Sequence, residues 1–439
     1  MTKPVYKNYD SYKDLSIEAV NRIPSHWLIG RIKEHGTVRA RVGWKALTAS
    51  EYVDEGYIFL STPNIKNREI DFDNVNYITK ERYVESPEIM LKVGDILLAK
   101  DGSTLGTVNI VSYLPRESTV NGSIGVLRFK KQLFNKYVYY QIESEYIQHK
   151  IALKKIGMGV PHLFQQDIKN FVILIPPMPE QQAIANYLDA KTAQIDRKIE
   201  LLEQKAEKYA DLKQSLINET VTRGLDKTVP MKDSGTEWIG QIPAHWEVKR
   251  ISDVASKQKI KNIGMREKNL LSLSYGKLKR KDIENNFGLL PESFETYQII
   301  NKGNIILRLT DLQNDWTSLR VGLARERGII TSAYLCLRFS KLINPAFAYY
   351  VLHVYDLSKV FYWLGSGLRS VMKFEDIKIL PFILPPLEEQ QAIADYLESK
   401  TAHIEKIVET INLEVKKLKE LRKTLINDVV TGKIKVYQA

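Results

Sequence analysis

Cysteine is almost missing from this chain: Cys336 stands alone among 439 residues. A disulfide framework and a cysteine-rich metal site are both excluded, and an intracellular location fits. Histidine is sparse as well. His26, His35, His149, His162, His245, His353 and His403 are scattered singly, without the spacing of a metal-ligand cluster. Long apolar runs do not occur. The greasiest segments, "FVILIPP" from Phe171 and "ILPFILPP" from Ile379, are far too short to cross a bilayer and end at prolines. They read as buried strands, and no membrane association is expected. The opening "MTKPVYKNYDSYKD" has no apolar run of the signal-peptide kind, so the chain is read as cytoplasmic. No glycine-rich loop ends in Gly-Lys-Ser or Gly-Lys-Thr, which argues against an ATP-driven motor of the P-loop type.

What is present is length, a mild positive charge and a repeated phrase. The chain is long enough for two or more domains with real cores. Its 64 Lys and Arg against 52 Asp and Glu leave a net charge of +12, spread along the chain rather than gathered in a tail. Such a bias is compatible with a polyanionic partner without identifying one. The phrase "PPMPEQQAIANYLDAKTAQID" begins at Pro176, and "PPLEEQQAIADYLESKTAHIE" begins at Pro385, 209 positions later. The same offset superimposes "SLINETVTRG" from Ser215 on "TLINDVVTGK" from Thr424. Upstream, "IPSHW" at Ile23 recurs as "IPAHW" at Ile242, and "KVGDILLAKDG" from Lys92 resembles "NKGNIILRLTD" from Asn301. "LRF" and a tyrosine pair ("YVYY", "FAYY") follow in both halves. This is an internal duplication in which each half has one variable and one closely repeated section.

The repeated sections read as long helices. Ile184, Leu188, Ile195, Ile199, Leu202, Ala206, Tyr209, Leu212 and Leu216 recur mostly at steps of three and four. Ile393, Leu397, Ile404, Val408, Ile411, Val415, Leu418, Leu421 and Leu425 repeat that spacing. Each set makes one apolar seam flanked by charged faces, as in a coiled coil. The coiled-coil core is therefore expected at Ile195, Ile199, Leu202, Tyr209, Leu212 and Leu216, and at Ile404, Val408, Ile411, Leu418, Leu421 and Leu425. Pro179 suits a first helical turn, and Gly224 and Gly432 stand where the helices should stop. About 40 residues at about 1.5 Å each give helices about 60 Å long. The natural partner of each helix is the other, in either parallel or antiparallel sense. The variable sections read as mixed α/β, with short strands at "YIFLST", "DILLAK", "IGVLRF", "NIILRL" and "AYLCLRF". Helical spacing marks "NKYVYYQIESEYIQHKI" and "PAFAYYVLHVYDLSKVF".

No catalytic constellation can be assembled. "NPAF" from Asn344 lacks the second proline of the amino-methyltransferase motif, and no Gly-x-Gly cofactor loop accompanies it. "KDGS" from Lys100 has no partnered base, and Glu203 to Lys205 is ordinary coiled-coil charge. A rod with two similar but non-identical heads suits recognition of two different things at a fixed separation. Duplex DNA is such a target, because sites one helical turn apart, about 34–36 Å, share a face. The alternatives are a two-headed adaptor for protein or RNA, and a self-contained DNA methyltransferase or nuclease. The missing cofactor and metal motifs argue against the latter.

The paired "PP(M/L)(P/E)EQQ" openings, the "(S/T)LIN" helix ends, the two "IP.HW" starts and "GDIL" at Gly94 together resemble the specificity subunits of type I restriction-modification systems. The resemblance covers nearly the whole chain, with Asn304 replacing the aspartate of the second "GDI" and Arg223 interrupting the first "VTG". It implies an α/β (mixed α+β) fold: two similar globular DNA target-recognition domains separated by two long helices forming an antiparallel coiled coil. The expected division is a 1–19 extension, a first recognition domain at 20–178, a central helix at 179–224, and a 225–241 linker. A second recognition domain follows at 242–387, then a distal helix at 388–432 and a 433–439 tail. The resemblance further implies a non-catalytic subunit that reads a bipartite, asymmetric duplex DNA site, one half per head. Its expected partners are two methyltransferase subunits, which methylate adenine, and restriction subunits that add ATP-dependent translocation and cleavage. S-adenosylmethionine, ATP and magnesium belong to those partners, with no cofactor or metal on this chain. Polar loop residues beside the strands are the expected DNA contacts: Lys100, Ser103, Thr104, Lys154, Lys155 and His162 in the first head, and Arg308, Thr310, Ser366, Arg369 and Lys373 in the second. Asp101 and Asp311 are placed to orient a neighbouring cation. Glu180, Gln181, Gln182, Glu389, Gln390 and Gln391, at the helix starts, are expected either to cap and pack the helix against its head or to dock a partner.

Overall fold

The computed structural model describes residues 8–17, 20–41, 47–66, 68–154, 161–281, 291, 293–312, 315, 317–363 and 371–437. Two compact units divide the chain, one made of 1–202 with 413–439, the other of 203–412. Each unit owns one head and a portion of both long helices.

In the first unit a four-stranded antiparallel sheet runs in the order Gly36–Arg39, Ile124–Phe129, Ile96–Ala99, Val108–Ile110. Its two central strands are apolar at successive positions because both faces are covered. Ile96, Leu98 and Leu127 face one core with the helices Asn135–Glu143 and Glu145–Leu153. Leu97, Ala99, Ile124 and Val126 face another. Successive strand residues point to opposite faces, so two-sided burial demands an unbroken apolar run. A second sheet, Asn76–Ile78, Tyr57–Leu60 and Ser118–Val120, closes that other core. The strand Val172–Ile175 pairs with Leu28–Arg31 and leads into the long helix.

The second unit repeats this plan. Ala255–Gln258, Leu335–Phe339, Ile305–Leu307 and Val321–Leu323 form the four-stranded sheet in the same spatial order. Ile305, Leu307 and Leu337 face the helix Pro345–Leu357, while Ile306 and Cys336 face the opposite way. The repeated "GDI" turn survives its substitution. Asp95 accepts from the Lys92 N–H at 2.8 Å after Gly94 (φ 93°), and Asn304 accepts from the Asn301 N–H at 2.8 Å after Gly303 (φ 90°). Only the far partner differs: Arg128 for the carboxylate, Gln258 for the amide.

The two long helices are Met178–Arg223, 46 residues, and Leu387–Val430, 44 residues. Within the first unit Asp196 pairs with Arg422 at 2.9 Å and Lys198 with Glu414 at 2.6 Å, so the two segments run antiparallel. Within the second, Lys213 pairs with Glu405 at 2.6 Å while Ile217 shares a core with Ile393 and Leu397, in the same sense. Ile199, Ile404, Ile411 and Leu425 are buried, as expected of a seam. Ile195, Leu202, Tyr209, Leu216, Val408 and Leu418 are half-buried. Leu212 and Leu421 depart from the expectation, with 52% and 53% exposure. The seam advances from Tyr209 by four to Lys213 and by four more to buried Ile217, and on the other helix from Leu418 to Arg422 and buried Ile426. Each step of four keeps to one helical face. A basic residue whose charge is matched by a carboxylate thus occupies the seam, and its leucine neighbour is turned out to solvent.

Both helices end on a glycine with positive φ, Gly224 at 75° and Gly432 at 73°. Each glycine lies close to the tryptophan of its own head: a Cβ on Gly224 would sit 3.2 Å from Trp246, and one on Gly432 2.3 Å from Pro24 and 3.3 Å from Trp27. Conformation and space both require glycine there.

Candidate nucleic-acid interface

Two of the repeated phrases meet in space. Glu180, in the first turn of its helix, accepts from His26 Nε2 at 2.8 Å and from the Trp27 indole N–H at 3.2 Å. Glu389 accepts from His245 Nε2 at 2.7 Å and from the Trp246 indole N–H at 2.9 Å. "IP.HW" and "EQQ" are therefore the two halves of one clasp that fixes each helix to its head. The adjacent glutamine ties down a loop. Gln181 accepts from the Phe134 N–H at 2.8 Å and donates to the carbonyls of Gln132 at 3.3 Å and Pro176 at 2.9 Å. Gln390 accepts from the Asn344 N–H at 2.8 Å and donates to the carbonyls of Leu342 at 3.1 Å and Pro385 at 2.9 Å. Glu180, Gln181 and Gln390 are each 1% exposed. Their polar atoms are engaged inside the unit and offer a partner no surface. Gln182 and Gln391 are exposed, and Glu389 is half-buried.

Gln181→Ala is expected to cost about 1–3 kcal/mol, because it strands the Phe134 N–H among buried groups. Gln182→Ala is expected to change stability by less than about 0.5 kcal/mol. Urea unfolding of the two variants checks the contrast, and equal stabilities would refute the assignment.

The loops that follow these frameworks carry the residues nominated for DNA contact. In the first head Lys100 (9% exposed), Asp101, Ser103, Thr104 and His162 come together. Lys100 Nζ lies 3.2 Å from Asp101 Oδ2, and the His162 ring is hydrogen-bonded to the same carboxylate. The Leu163 N–H donates to the Lys100 carbonyl at 2.8 Å and the Gly102 N–H to the Pro161 carbonyl at 3.0 Å, so the two loops are laced by their backbones. Ser103 is exposed and Thr104 Oγ1 donates to the Asp101 carbonyl at 3.3 Å. Lys154 points elsewhere, pairing with Asp167 at 3.0 Å. Phe164, 64% exposed, stands edge-on to His162 at 4.5 Å. A lone phenylalanine beside a histidine gave no signal in the sequence, since nothing there distinguishes an exposed ring from a buried one.

In the second head Arg308 and Thr310 share a loop whose backbone is held from beneath by Arg320. This guanidinium is 0% exposed and donates to the carbonyls of Arg308 at 3.1 Å, Thr310 at 2.7 Å, Asp311 at 3.2 Å and Asp315 at 2.5 Å. Its Nε donates to the Tyr362 hydroxyl at 2.8 Å, and its backbone N–H donates to Asp356 at 2.6 Å. Asp311 has φ 61°, a left-handed conformation uncommon outside glycine, and the fork of Arg320 holds it there. Asp315 lies 3.8 Å from Arg308; hydrogen bonds from Ser318 hold its carboxyl down at about 2. Burial pushes Asp356 up to about 6. Arg320 escaped the sequence reading, although an arginine between Leu319 and Val321 in an apolar run was the available clue. Lys373 is exposed at the start of the Phe374–Ile377 turn. Lys155, Ser366 and Arg369 lie outside the described residues.

Asn344 of "NPAF" caps the Pro345–Leu357 helix, accepting from the N–H groups of Ala346 at 2.8 Å and Phe347 at 3.1 Å, and so has a structural duty. No group of three or more potential metal ligands occurs among the described residues. No helix among them is long and apolar enough to cross a membrane.

Comparison with known proteins agrees with the duplication. The chain is similar to the type I restriction enzyme MjaVIII specificity subunit of Methanocaldococcus jannaschii, 25% identical over 97% of each chain. It is similar also to the EcoKI specificity subunit of Escherichia coli, 21% identical over 95% of this chain and 91% of that one. Its fold matches a chain from a structure addressing complex assembly and conformational transition of the type I R-M system, with TM-score 0.68, 15% identity, and coverage of 94% of this chain and 99% of that one. The crystal structure of the HsdS subunit from Thermoanaerobacter tengcongensis matches with TM-score 0.50, 15% identity, and coverage of 94% and 98%. One family model matches twice, at residues 24–208 and 243–417, once for each head with the greater part of its helix. By that double match the chain belongs to the type I restriction modification DNA specificity domain family.

Proposed function

We propose that this chain reads a bipartite, asymmetric duplex DNA site, one half-site per head, as the non-catalytic specificity subunit of a restriction-modification complex in the cytoplasm. Two methyltransferase subunits bind it and methylate adenine, and restriction subunits join them to translocate and cleave DNA. S-adenosylmethionine, ATP and magnesium act on those partners. The observation that carries the reading is one framework bearing two different loop sets. Lys100, Asp101 and His162 form a laced pair of loops in the first head, whereas Arg308 and Thr310 sit on an arginine-supported loop in the second. Equal frameworks place loops alike, and unequal side chains on them read unequal bases. Ser103 and Thr104 join the first contact set, and Lys373 joins the second. Docking of a partner at the helix starts falls to exposed Gln182 and Gln391.

The test is replacement of residues 20–178 by the corresponding head of another family member, with both helix cores retained. Recognition sites are then selected from randomised duplex DNA in the presence of the methyltransferase partner. One half-site is expected to change completely and the other to persist. A protein whose two half-sites change together, or not at all, would sink the reading of one half-site per head.

A further inference from the structure

One substitution between the two heads leaves a guanidinium without its carboxylate. In the first head Arg128 grips Asp95 with its fork, Nε donating to Oδ1 at 2.7 Å and Nη2 to Oδ2 at 2.6 Å. The repeat puts Asn304 at the position of Asp95 and Arg338 at that of Arg128. Asn304 spends its side-chain oxygen on the Asn301 N–H and on Gln258, and an amide has no charge to offer Arg338. A second exchange works in the same direction: Lys302 stands where the first head has Val93.

Arg338, Lys302 and Lys341 are exposed, and none of their side chains is hydrogen-bonded or ion-paired among the described residues. They line a cleft of about 610 Å³ together with Gln258, Asn301 and Asn304. No aspartate or glutamate among the described residues shares that lining. Pro345, the first residue of the helix Pro345–Leu357, also borders it, so the positive end of the helix dipole adds to the cations. Like charges gathered without a counter-charge repel one another. An arginine fork matches the paired oxygens of a carboxylate or a phosphate. One carboxylate would balance a single cation of the three, whereas a phosphate group brings about −1.5 to −2 and three acceptor oxygens.

The geometry points to a phosphate site in the second head: Arg338 takes two phosphate oxygens with its fork, in place of the absent carboxylate, and Lys302 and Lys341 balance the remaining charge. The cleft and Arg308 lie at opposite ends of the strand Ile305–Leu307. The site is therefore separate from the loop proposed to read DNA and does not rest on that reading.

The test titrates inorganic phosphate into the full chain at constant ionic strength, with acetate and chloride as controls. Calorimetry is expected to show saturable phosphate binding, and the melting temperature to rise with phosphate concentration. Asn304→Asp restores the carboxylate of the first head and keeps the acceptor for the Asn301 N–H. It is expected to bind phosphate roughly tenfold more weakly or worse. Lys302→Val, the first head's residue, is expected to weaken binding as well, and decides the matter should Asn304→Asp fail to fold. Duplex DNA of random sequence is then added to the phosphate-loaded chain. Release of phosphate identifies the DNA backbone as the source of the group, and retention identifies a free phosphate compound. Absence of saturable binding, an equal response to acetate, or equal affinity of the parent and either folded variant overturns the site.

Discussion

Arg320→Ala is expected to destabilise the second unit by about 3–5 kcal/mol, because it removes one partner from a buried hydrogen-bonded network. Four backbone carbonyls, those of Arg308, Thr310, Asp311 and Asp315, lose their donor together. They lie in a loop with a left-handed Asp311, so the backbone has no reason to keep its conformation once the fork is gone. Arg320→Lys is expected to rescue little. A single ammonium is a point charge, and the four carbonyls with Tyr362 are arranged around a planar fork. Hydrogen exchange reads the effect locally: protection across 305–323 falls, while protection across 96–110 in the other unit is unchanged. Selection of DNA sites should then show the second half-site degraded and the first intact. Unaltered protection in the Arg320→Ala protein would mean that the loop is held by something else.

The second large effect is expected at the clasp. Trp27 is 0% exposed, packs with Tyr9, Ile23 and Val429 in the core, and donates to Glu180. Trp27→Ala should cost about 3–5 kcal/mol through the cavity it leaves. Trp27→Phe keeps an aromatic ring in the core but loses the indole donor together with part of the packed volume. Its expected cost is about 1.5–3 kcal/mol, the range of a hydrogen bond to a charged acceptor. Trp246→Ala should act in the same way on the second unit, where the ring packs with Ile217, Val221 and Ile242. Exchange protection should fall across 20–35 and 425–434 for the first variant and across 217–224 and 239–254 for the second. A Trp27→Ala protein that retains its protection would remove the clasp from the account of stability.

Much of the architecture was legible because it rests on periodic burial. The runs "ILLA" and "IGVL" are strands with both faces covered, and a strand so placed must be apolar at every position. The long helices were legible from steps of three and four, and their stops from Gly224 and Gly432. Sequence also supplied the duplication, since 209 positions separate residues that prove equivalent in the structure: Glu180 and Glu389, Gln181 and Gln390, Gly94 and Gly303. The "NKYVYYQIESEYIQHKI" segment was helical as expected, though broken at Ser144 into two helices.

What sequence alone determined is therefore the presence of two like heads, the long helices and the family to which they belong. Three things were left to tertiary structure. The clasp joins Trp27 to Glu180 across 153 positions. No periodicity reports such a distant pairing, although both phrases were repeated. The true seam passes through Lys213 and Arg422 and leaves Leu212 and Leu421 outside. Hydrophobicity ranks leucine first, whereas a charge matched by Glu405 or Asp196 can be held in the seam at a cost that depends on the partner's position. The loop proposed to read DNA in the second head depends on Arg320, whose donors are spent on the backbone carbonyls of Arg308, Thr310, Asp311 and Asp315. A residue's place in the chain records its kind and its neighbours in sequence; only the fold decides which unpaired donors and charges it will meet.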